Sequence, residues 1–443
     1  MGIVRGIVGI SIFIGIAYLL SENRQKINWN LVIVGLTLQV LFGVLITQID
    51  AISFAFQRIS KAFVTLINFS KDGAIFLFAG LARNSFEDPN AHHELGVIFA
   101  FQVLPAIVFF STFSAGLYYL GILQKIVYAI AWVMSKTMKL SGAESLAAAG
   151  NIFLGQTEAP LLVKPFIPRM TKSELMCLMT GGMATIAGSV LASFVKFLAN
   201  GDPQQEVIFA SHLLSASFMN APAGIILSKI IIPETEFEKI DRALKVNKEN
   251  LGVNLIDALS TGASEGLKLA LNVGGMLLAF IALIAFCNYV FQDLLGNWLI
   301  WNNTTLNEYI RQHTNQVFSG FTLQYVLGQF FRIFAWLMGV DWQDTLLVGS
   351  MLGQKTVINE FVAYMELAKY RPMNVLSEKS VLVCTYALCG FSNFSSIAIQ
   401  VGGIGSMAPE KQGLLSQLGL KALIAATLAC MMTATIAGMI TYL

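Results

Sequence analysis

Seven long stretches of this sequence contain no Asp, Glu, Lys or Arg, and this pattern limits the possible folds more than any other feature. They occupy residues 27–49, 95–124, 175–195, 207–228, 269–292, 380–409 and 422–443. Each is long enough to cross the hydrocarbon core of a membrane, which is about 30 Å thick. Residues 3–20 make an eighth candidate, because Arg5 can extend its charge to the membrane surface from one end. The sequence predicts an all-α polytopic membrane protein with eight transmembrane helices.

The composition supports this class and argues against others. Charged residues make up 12% of the chain, about half of their share in an average soluble domain. The formal net charge is +2 and the basic residues are dispersed among short connections, which argues against a nucleic-acid partner. The five cysteines lack the close spacing of zinc or redox motifs. We therefore expect membrane lipid as a partner and no cofactor.

One apolar segment carries too many charges to cross the membrane. Residues 51–78 mix Phe and Ile with Arg58, Lys61 and Lys71. An amphipathic helix that lies at the membrane surface accommodates such a mixture. We predict an interfacial helix between the second and third spans.

Two further apolar segments are interrupted by polar residues and helix breakers. They span about residues 144–168, which include NIFLGQTEAPLLVKPF, and about residues 345–367, TLLVGSMLGQKTVINEFVAYMEL. Non-helical backbone survives at membrane depth only where it is buried in protein or lines a wet cavity. Each segment is therefore predicted to form a re-entrant hairpin.

The two hairpin segments belong to a repeated order of features. The first copy has a Gly-Gln pair at residues 155–156, a glutamate at 158 and a Ser-Glu pair at 173–174 that opens an uncharged span. The second copy has the same features in the same order, at residues 353–354, 360 and 377–378. With one span before each hairpin and two after it, each copy has three crossings, and an odd number inverts the second copy. Inverted repeats with paired, interrupted helices are typical of secondary transporters.

Glu158 and Glu360 occupy matching places in the two interrupted segments. A carboxylate costs at least about 2.5 kcal/mol to insert into a membrane, so intramembrane acids are candidates for function. The alternative is a structural role, in which each acid pairs with Lys164 or Lys355 or lies at the membrane surface.

Uncharged polar groups accompany both acids. GQTE ends in the first acid, NE contains the second, and CGFSNFSSI in the following span supplies Phe391, Asn393, Ser395 and Ser396. These side chains suit a neutral, polar and partly aromatic ligand, whereas an anionic ligand would call for Arg or Lys.

A second group of residues suits a sodium ion. Broken helix ends supply oxygen ligands to sodium, and Asn151, Thr185 and the carbonyl groups near Leu154 and Ile186 are expected at such ends. Alternatively, Asn151 caps its helix and the Thr185 hydroxyl bonds to its own preceding turn. The residues alone leave both interpretations open.

Two other function classes have weaker support. A channel favours rings of similar pore-lining residues, whereas this chain has one unequal pair of hairpins. The stretch GASEG gives Ser264 the spacing of a nucleophile elbow, but that turn requires a preceding strand. We therefore expect a carrier and not an enzyme.

Four motifs resemble those of the concentrative nucleoside transporter family. They are GQTEAPLL, GGMATIAGSV, NEFVAY and CGFSNFSSIAIQVGGIG, and the resemblance extends from about residue 95 to the C-terminus. The number of spans is similar to that of the shorter prokaryotic members. The resemblance implies a homotrimer in a bacterial inner membrane that moves nucleosides uphill with sodium, or with protons in some branches.

The resemblance also implies roles for residues at matching motif positions. The implied substrate-binding residues are Gln156, Thr157, Glu158 and Val190 toward the base, Glu360, Asn393 and Ser396 toward the ribose, and Phe391 packed against the nucleoside. The implied sodium ligands are Asn151, Leu154, Thr185 and Ile186.

We expect the chain to divide into a scaffold and a transport domain that moves by alternating access. The expected segments are scaffold helices and the interfacial helix at 1–94, a scaffold span and connecting helix at 95–143, the first hairpin and broken helices at 144–230, a polar loop at 231–268, a scaffold span and connector at 269–344, and the second hairpin and broken helices at 345–443. The expected function is sodium-coupled nucleoside symport. The alternative is proton-coupled symport through Glu158 or Glu360.

Overall fold

A computed structural model of the chain describes residues 2–83, 98–244, 252–301 and 304–441. Within these residues the regular structure is almost entirely helical, and one short antiparallel pair of strands, β1 (Leu299–Trp301) and β2 (Thr304–Thr305), lies between two helices. The first residues of the predicted span 95–124 and residues 245–251 of the predicted loop lie outside the described ranges. The all-α prediction is confirmed.

The α-helices are α1 (Gly2–Leu19), α2 (Trp29–Gln48), α3 (Asp50–Phe78), α4 (Gly80–Arg83), α5 (Phe99–Gln102), α6 (Leu104–Tyr119), α7 (Ile122–Met138), α8 (Gly142–Asn151), α9 (Lys172–Ala184), α10 (Gly188–Ala199), α11 (Pro203–Ile231), α12 (Leu255–Asn288), α13 (Leu306–His313), α14 (Leu323–Leu337), α15 (Thr345–Val357), α16 (Glu360–Tyr370), α17 (Glu378–Leu388), α18 (Phe394–Met407) and α19 (Gln412–Thr441). A 3-10 segment, Ala159–Arg169, lies between α8 and α9.

Seven helical stretches in the described part of the chain are long and apolar enough to cross a membrane. They are Gly2–Leu19, Trp29–Gln48, Phe99–Tyr119, Lys172–Ala199, Pro203–Ile231, Leu255–Leu295 and Pro409–Thr441. Each coincides with a predicted span. The eighth predicted span, 380–409, forms α17 and α18 with a break at residues 389–393, as expected for the broken helices of the second half. A span at 175–195 is broken in the same way, between α9 and α10.

Helix α12 is longer than the uncharged stretch 269–292 that predicts it. It begins at Leu255 and so includes residues of the predicted polar loop 231–268. Glu265 and Lys268, which interrupt the uncharged run, lie exposed on the helix surface. Asn254 caps the true start, because its side chain accepts a hydrogen bond from the Asp257 amide at 2.9 Å. The observed start of α12 therefore lies before the predicted one, because a charged residue ends an uncharged run without ending a helix.

Helix α3 has the amphipathic pattern predicted for residues 51–78. Its buried side is a single stripe at helical spacing, consisting of Ser60, Val64, Ile67, Ser70 and Ala74. This stripe packs across α2, α6 and α11, and large apolar side chains on other faces remain exposed. The helix therefore covers part of the bundle and presents both charged and apolar groups outward.

Both interrupted segments form hairpins. The first consists of α8 and the 3-10 segment, and the second consists of α15 and α16 with a turn at residues 358–359. The return arm of the first hairpin is not α-helical because Pro160, Pro165 and Pro168 remove backbone donors. The second hairpin contains no proline and its return arm is a regular helix.

The two hairpins begin equivalent series of elements. In each half a hairpin is followed by a broken helix and then by a long helix, α8 to α11 in the first half and α15 to α19 in the second. In the most apolar 18 residues of Lys172–Ala199 and of Pro203–Ile231, 100% and 94% of the residues are buried. In the corresponding part of Leu255–Leu295, only 22% of the residues are buried. The first broken helix and its following long helix therefore lie in the interior, and α12 lies at the periphery.

The stretch GASEG has a packing role that its residues alone do not reveal. Helix α12 packs against α6, and a Cβ added to Gly262 would lie 2.6 Å from the Ala115 Cβ, while one on Gly266 would lie 2.9 Å from the Val108 Cα. Two glycines four residues apart allow this close approach. Ser264 between them is exposed in the helix, and no described strand precedes it, so the spacing does not form a nucleophile elbow.

A buried ion pair fixes the base of the first hairpin. Lys229 on α11 pairs with Glu144 on α8, and its ammonium group also donates a hydrogen bond to the Ser173 hydroxyl at 2.9 Å. Capping boxes begin both α8 and α9, with Glu144 and Glu174 as the acidic members. The long helix, the hairpin and the broken helix of the first half are thus joined at one end.

Candidate functional site

A cavity of about 120 Å³ lies where the turns of the two hairpins meet the breaks of the two broken helices. Its walls come from residues 155–158 and 359–361 of the hairpins, from residues next to the breaks, and from one face of α12. Elements that are distant in sequence therefore converge on one cavity. This convergence follows from the repeat, because each half contributes one hairpin turn and one helix break.

All eight residues predicted to bind substrate line this cavity. They are Gln156, Thr157, Glu158, Val190, Glu360, Phe391, Asn393 and Ser396. The first four come from the first half of the chain and the others from the second half. A ligand in this cavity would therefore touch both halves at once.

The first hairpin presents its polar turn to the second broken helix. The Gln156 amide donates a hydrogen bond to the Ser396 hydroxyl at 3.2 Å, and one Glu158 carboxylate oxygen accepts from the Gly155 amide at 3.1 Å. Neither interaction is an ion pair. Of the two acids, Glu158 is thus held by its own turn.

The second acid is held by the second broken helix. One oxygen of Glu360 accepts a hydrogen bond from the Asn393 side-chain amide at 2.9 Å. The Asn393 side-chain oxygen in turn accepts from the Ser396 backbone amide at 2.9 Å and caps α18. Because Asn393 is fixed on both sides, it fixes the orientation of the Glu360 carboxylate.

Some polar atoms in the cavity wall have no partner within the described protein. The Gln156 side-chain oxygen and the Asn359 side-chain nitrogen are both buried without a hydrogen-bond partner in the described protein. A buried polar atom without a hydrogen bond is costly, about 1–3 kcal/mol. The two atoms offer an acceptor and a donor to a ligand.

The cavity carries acidic but no basic side chains. Among the described residues that line it, Glu158 and Glu360 are the only ones with ionisable side chains. An anionic ligand would meet two acids and no counter-charge. The arrangement therefore suits a neutral ligand with hydroxyl or amino donors.

Several wall residues are absent from the sequence prediction. Leu269, Val273 and Met276 lie on one face of α12 at helical spacing and form part of the cavity wall. Because residues 269–287 of α12 are uncharged on all sides, the sequence does not indicate which of their faces points inward. Asn359, which caps α16 by accepting from the Val362 amide at 3.1 Å, also lines the cavity.

The four predicted sodium ligands lie beside this cavity, at the first hairpin turn and the first break. Asn151 is the last residue of α8, and both its side-chain oxygen and nitrogen are buried with no partner in the described protein. Leu154 follows in the turn, and Thr185 and Ile186 form the break after α9. A buried amide oxygen near helix-end carbonyls is the kind of ligand set that sodium prefers.

The structural alternatives to sodium binding, back-bonding by Thr185 and helix capping by Asn151, differ in how they agree with the structure. The Thr185 hydroxyl donates to the Gly181 carbonyl at 2.9 Å, as the back-bonding interpretation predicts. Its oxygen still has lone pairs for a cation. Asn151 makes no capping bond.

The two breaks are joined directly. The Phe391 amide donates to the Thr185 carbonyl at 3.2 Å. The Asn220 side-chain nitrogen donates to the carbonyl groups of Ala184 and Cys389 at 2.8 and 2.7 Å, and the thiol of Cys430 approaches the same two oxygens at 3.5 and 3.4 Å. The carbonyl ends of the two broken helices therefore meet around a shared pair of side chains.

Three protein-family descriptions match this chain. Na+ dependent nucleoside transporter C-terminus matches residues 212–438, Na+ dependent nucleoside transporter N-terminus matches residues 8–81, and Nucleoside recognition matches residues 100–201. The chain belongs to the concentrative nucleoside transporter family. The matched regions contain both hairpins and both breaks.

Individual relatives of this transporter support the assignment. An uncharacterized transporter of Haemophilus influenzae is 42% identical, with 99% of this chain and 98% of that protein aligned. The nucleoside permease NupC of Helicobacter pylori is 36% identical over 98% of this chain and 96% of its own length. The chain is therefore a multi-pass membrane protein of a transporter family and not an enzyme.

The fold also matches a solved transporter. The structure of CNTnw in an inward-facing, substrate-bound state has a TM-score of 0.86 and 39% sequence identity, and the two chains cover each other completely. Substituted forms of CNTnw in outward-facing and intermediate states match with TM-scores of 0.86 and 0.87. The likeness extends over the full length of this concentrative nucleoside transporter.

Proposed function

We propose that this protein is a sodium-coupled symporter that moves nucleosides uphill into a bacterial cell across the inner membrane. The observation that carries the proposal is a cavity in which two carboxylates from opposite hairpins face neutral polar groups and an apolar helix, directly beside an unpaired buried asparagine. A nucleoside can match all three surfaces. Its ribose offers hydroxyl donors to the carboxylates, and its base offers amide groups to the neutral polar side chains and an aromatic surface to the apolar helix.

Glu360 is proposed to bind the ribose. One of its oxygens accepts from Asn393, and the carboxylate is proposed to accept further hydrogen bonds from sugar hydroxyls. Hydrogen bonds to a carboxylate are stronger than bonds between neutral groups. Asn393 and Ser396 complete this side of the proposed site, and Phe391 packs against the nucleoside.

The turn of the first hairpin is proposed to contact the base. Gln156 supplies an amide with an unpaired oxygen, Glu158 supplies a carboxylate held by its own turn, and Thr157 and Val190 supply smaller contacts. Amide and carboxylate groups can face the donors and acceptors at a base edge. Leu269, Val273 and Met276 provide the apolar surface opposite.

The sodium site is proposed at Asn151, Leu154, Thr185 and Ile186. The Asn151 and Thr185 side-chain oxygens and the backbone oxygens of Leu154 and Ile186 are the proposed ligands. The unpaired Asn151 amide supports this assignment, because a cation would satisfy its oxygen.

Coupling is proposed to follow from the short path between the two sites. Leu154 is two residues before Gln156 in the same turn, and the Thr185 carbonyl accepts from the Phe391 amide. A cation that orders this turn and this break also orders groups that face the nucleoside. Each ligand then raises the affinity for the other by the same factor.

The proposed transport domain contains residues 144–230 and 345–443, that is, both hairpins and both broken helices. The proposed scaffold contains residues 1–94, 95–143 and 269–344. The exposed apolar side chains of α12 support a peripheral scaffold position, in contact with lipid or with other subunits of a homotrimer. The cavity would open alternately to each side as the hairpins move against α12.

Uptake into proteoliposomes tests this proposal. Purified protein is reconstituted, and accumulation of radiolabelled uridine is measured under an inward sodium gradient or an inward proton gradient of equal size, with empty liposomes as the control. Accumulation driven by sodium alone supports the proposal. Accumulation driven by protons alone would retain nucleoside transport and contradict the sodium site, and a lack of uptake under both gradients would contradict nucleoside symport.

A further inference from the structure

A lysine is buried inside the second hairpin. Lys355 lies near the end of α15 and is 2% exposed. Its ammonium group donates a hydrogen bond to the carbonyl oxygen of Ala387 at 2.8 Å. In the part of the chain that the structure describes, no carboxylate lies within ion-pair distance of this ammonium group. A buried charge without a direct counter-charge is costly, so another group must stabilise it.

The position of the Ala387 carbonyl group explains how the buried Lys355 ammonium group is stabilised. Ala387 is in the last turn of α17, which ends at Leu388 before the second break. The final carbonyl groups of a helix have no partner in the helix and carry partial negative charge. A cation is favoured at such an end. Lys355 therefore places a covalently attached cation at the carbonyl end of the second broken helix.

The first half has an uncharged residue that approaches its own broken helix. Asn151 is the last residue of α8, and a Cβ added to Gly181 would lie 3.0 Å from its side-chain nitrogen. Gly181 is in the last turn of α9, before the first break. The Asn151 side chain thus lies near the last turn of α9, and the Lys355 side chain contacts the last turn of α17. The two breaks correspond, since Asn220 and Cys430 contact Ala184 in one and Cys389 in the other.

We propose that the Lys355 ammonium group does in the second half what a bound sodium ion does in the first: it holds a hairpin against the carbonyl end of a broken helix. This inference rests on the proposed sodium site. The turn of the second hairpin is then held permanently. The turn of the first hairpin, whose base is fixed by Lys229 and Glu144, is held only when sodium is bound. The asymmetry makes the first hairpin the sodium-dependent element of the repeat.

A simpler role for Lys355 is to act as a counter-charge for Glu360. The two side chains are close enough to interact electrostatically, although they form no direct ion pair. Loss of a counter-charge would weaken nucleoside binding but would not change how binding depends on sodium. The sodium dependence therefore separates the two roles.

The first test moves the attached cation into the first half. Equilibrium uridine binding is measured on purified wild-type protein and on Asn151→Lys, in sodium chloride and in choline chloride. The Asn151→Lys variant is expected to bind uridine equally well in both salts. Asn151→Met is the matched control, because Met has a similar length without charge, and it is expected to bind weakly in both. Sodium-dependent binding by a folded Asn151→Lys variant would overturn the proposal.

The second test removes the cation from the second half. Lys355→Asn is expected to weaken uridine binding about tenfold or more at a sodium concentration that saturates the wild type. It is also expected to raise the Hill coefficient for sodium from about one toward about two, because an ion then replaces the ammonium group. Lys369→Asn is the matched control on the exposed face of α16. Weak binding with an unchanged Hill coefficient would support the counter-charge role and overturn the proposal.

The wild-type measurements keep this inference separate from the proposed function. Uridine binding by the wild type that is equal in sodium and choline would contradict sodium coupling itself. Sodium-dependent binding by the wild type, with no change in sodium dependence in either variant, would overturn only the role of Lys355. Monodisperse elution of each variant in size-exclusion chromatography shows that it is folded.

Discussion

The backbone amide of Phe391 donates a hydrogen bond to the backbone carbonyl of Thr185 at 3.2 Å. Phe391 lies in the break of the second broken helix and lines the cavity, and Thr185 lies in the break of the first. A residue of the proposed sodium site is therefore bonded directly to a residue of the proposed nucleoside site. A movement of either break displaces a group in the other site.

Thr185→Val is expected to weaken sodium binding while the bond to Phe391 remains. The substitution removes one hydroxyl oxygen but keeps the backbone carbonyl and the shape of the side chain. Loss of one ligand to a cation is expected to weaken apparent sodium affinity about tenfold or more, from the energies of hydrogen bonds to charged groups. Sodium titration of uridine binding measures this change, and uridine affinity at saturating sodium is expected to stay close to that of the wild type.

Thr180→Val is the matched control for this substitution. Thr180 is also buried on α9, and its hydroxyl oxygen has no partner in the described protein. Its replacement is expected to leave the sodium titration unchanged. Equal loss of sodium affinity in both variants would show that the hydroxyl of Thr185 has no specific role.

Glu360→Gln is expected to weaken uridine binding about 10- to 100-fold, because hydrogen bonds to a carboxylate contribute roughly 1.5–3 kcal/mol. The loss is expected to be smaller for 2′-deoxyuridine and 3′-deoxyuridine, which lack one of the hydroxyl donors. Isothermal titration of the three nucleosides measures these differences. Glu366→Gln is the matched control in the same hairpin, since Glu366 bonds to Gln354 and does not line the cavity. An equal loss for all three nucleosides would contradict the ribose assignment.

Glu158→Gln is expected to change base preference more than sugar preference. Glu158 lies in the first hairpin turn, whereas the groups proposed to bind ribose come from the second half of the chain. Competition of uridine uptake by adenosine, cytidine and inosine measures base preference in the wild type and in the variant. Wild-type affinity for all four nucleosides would contradict the proposed contact between Glu158 and the base.

Much of the site could be predicted because its residues break the local rules of a membrane span. An acid or an amide within an apolar run is conspicuous in the sequence, and Glu158, Glu360 and the two interrupted segments that contain them were all accessible in this way. The inward face of α12 was not, because its residues 269–287 are uncharged on every side and give no clear periodic signal. Leu269, Val273 and Met276 are identified only by their position in the fold.

The role of Asn220 was also beyond the reach of the sequence. It lies in α11, outside both hairpins and both breaks, so local patterns give it no special status. Its side chain contacts two carbonyl groups that are far apart in the chain. Contacts of this kind depend on how the two halves pack together. The same reason applies to Lys355, whose burial against Ala387 changes an apparent counter-charge into a helix-end contact.

Asn220→Leu is expected to destabilise the protein by roughly 2–4 kcal/mol, because it removes hydrogen bonds from two buried carbonyl groups at once. Uridine and sodium affinities are expected to fall together, since both breaks lose the same support. Fluorescence-detected thermal unfolding and uridine titration measure the two effects. Cys430→Ala is a useful comparison: its thiol approaches the same oxygens at longer distances, and a thiol is a weak donor, so a much smaller effect is expected. A Cys430→Ala effect equal to that of Asn220→Leu would contradict this assignment.

Gly266→Val is expected to force α12 away from α6. A Cβ at this position would lie 2.7 Å from the Ser111 Cβ and 2.9 Å from the Val108 Cα, and backbone cannot yield as a flexible side chain can. Overpacking of this kind costs about 1–3 kcal/mol. The thermal unfolding temperature in detergent is expected to fall, and uridine affinity is expected to fall with it because α12 forms one wall of the cavity. Gly275→Val is the matched control on the same helix, since a Cβ there meets no atom within 4 Å. Equal unfolding temperatures for the two variants would contradict a close crossing of α6 and α12.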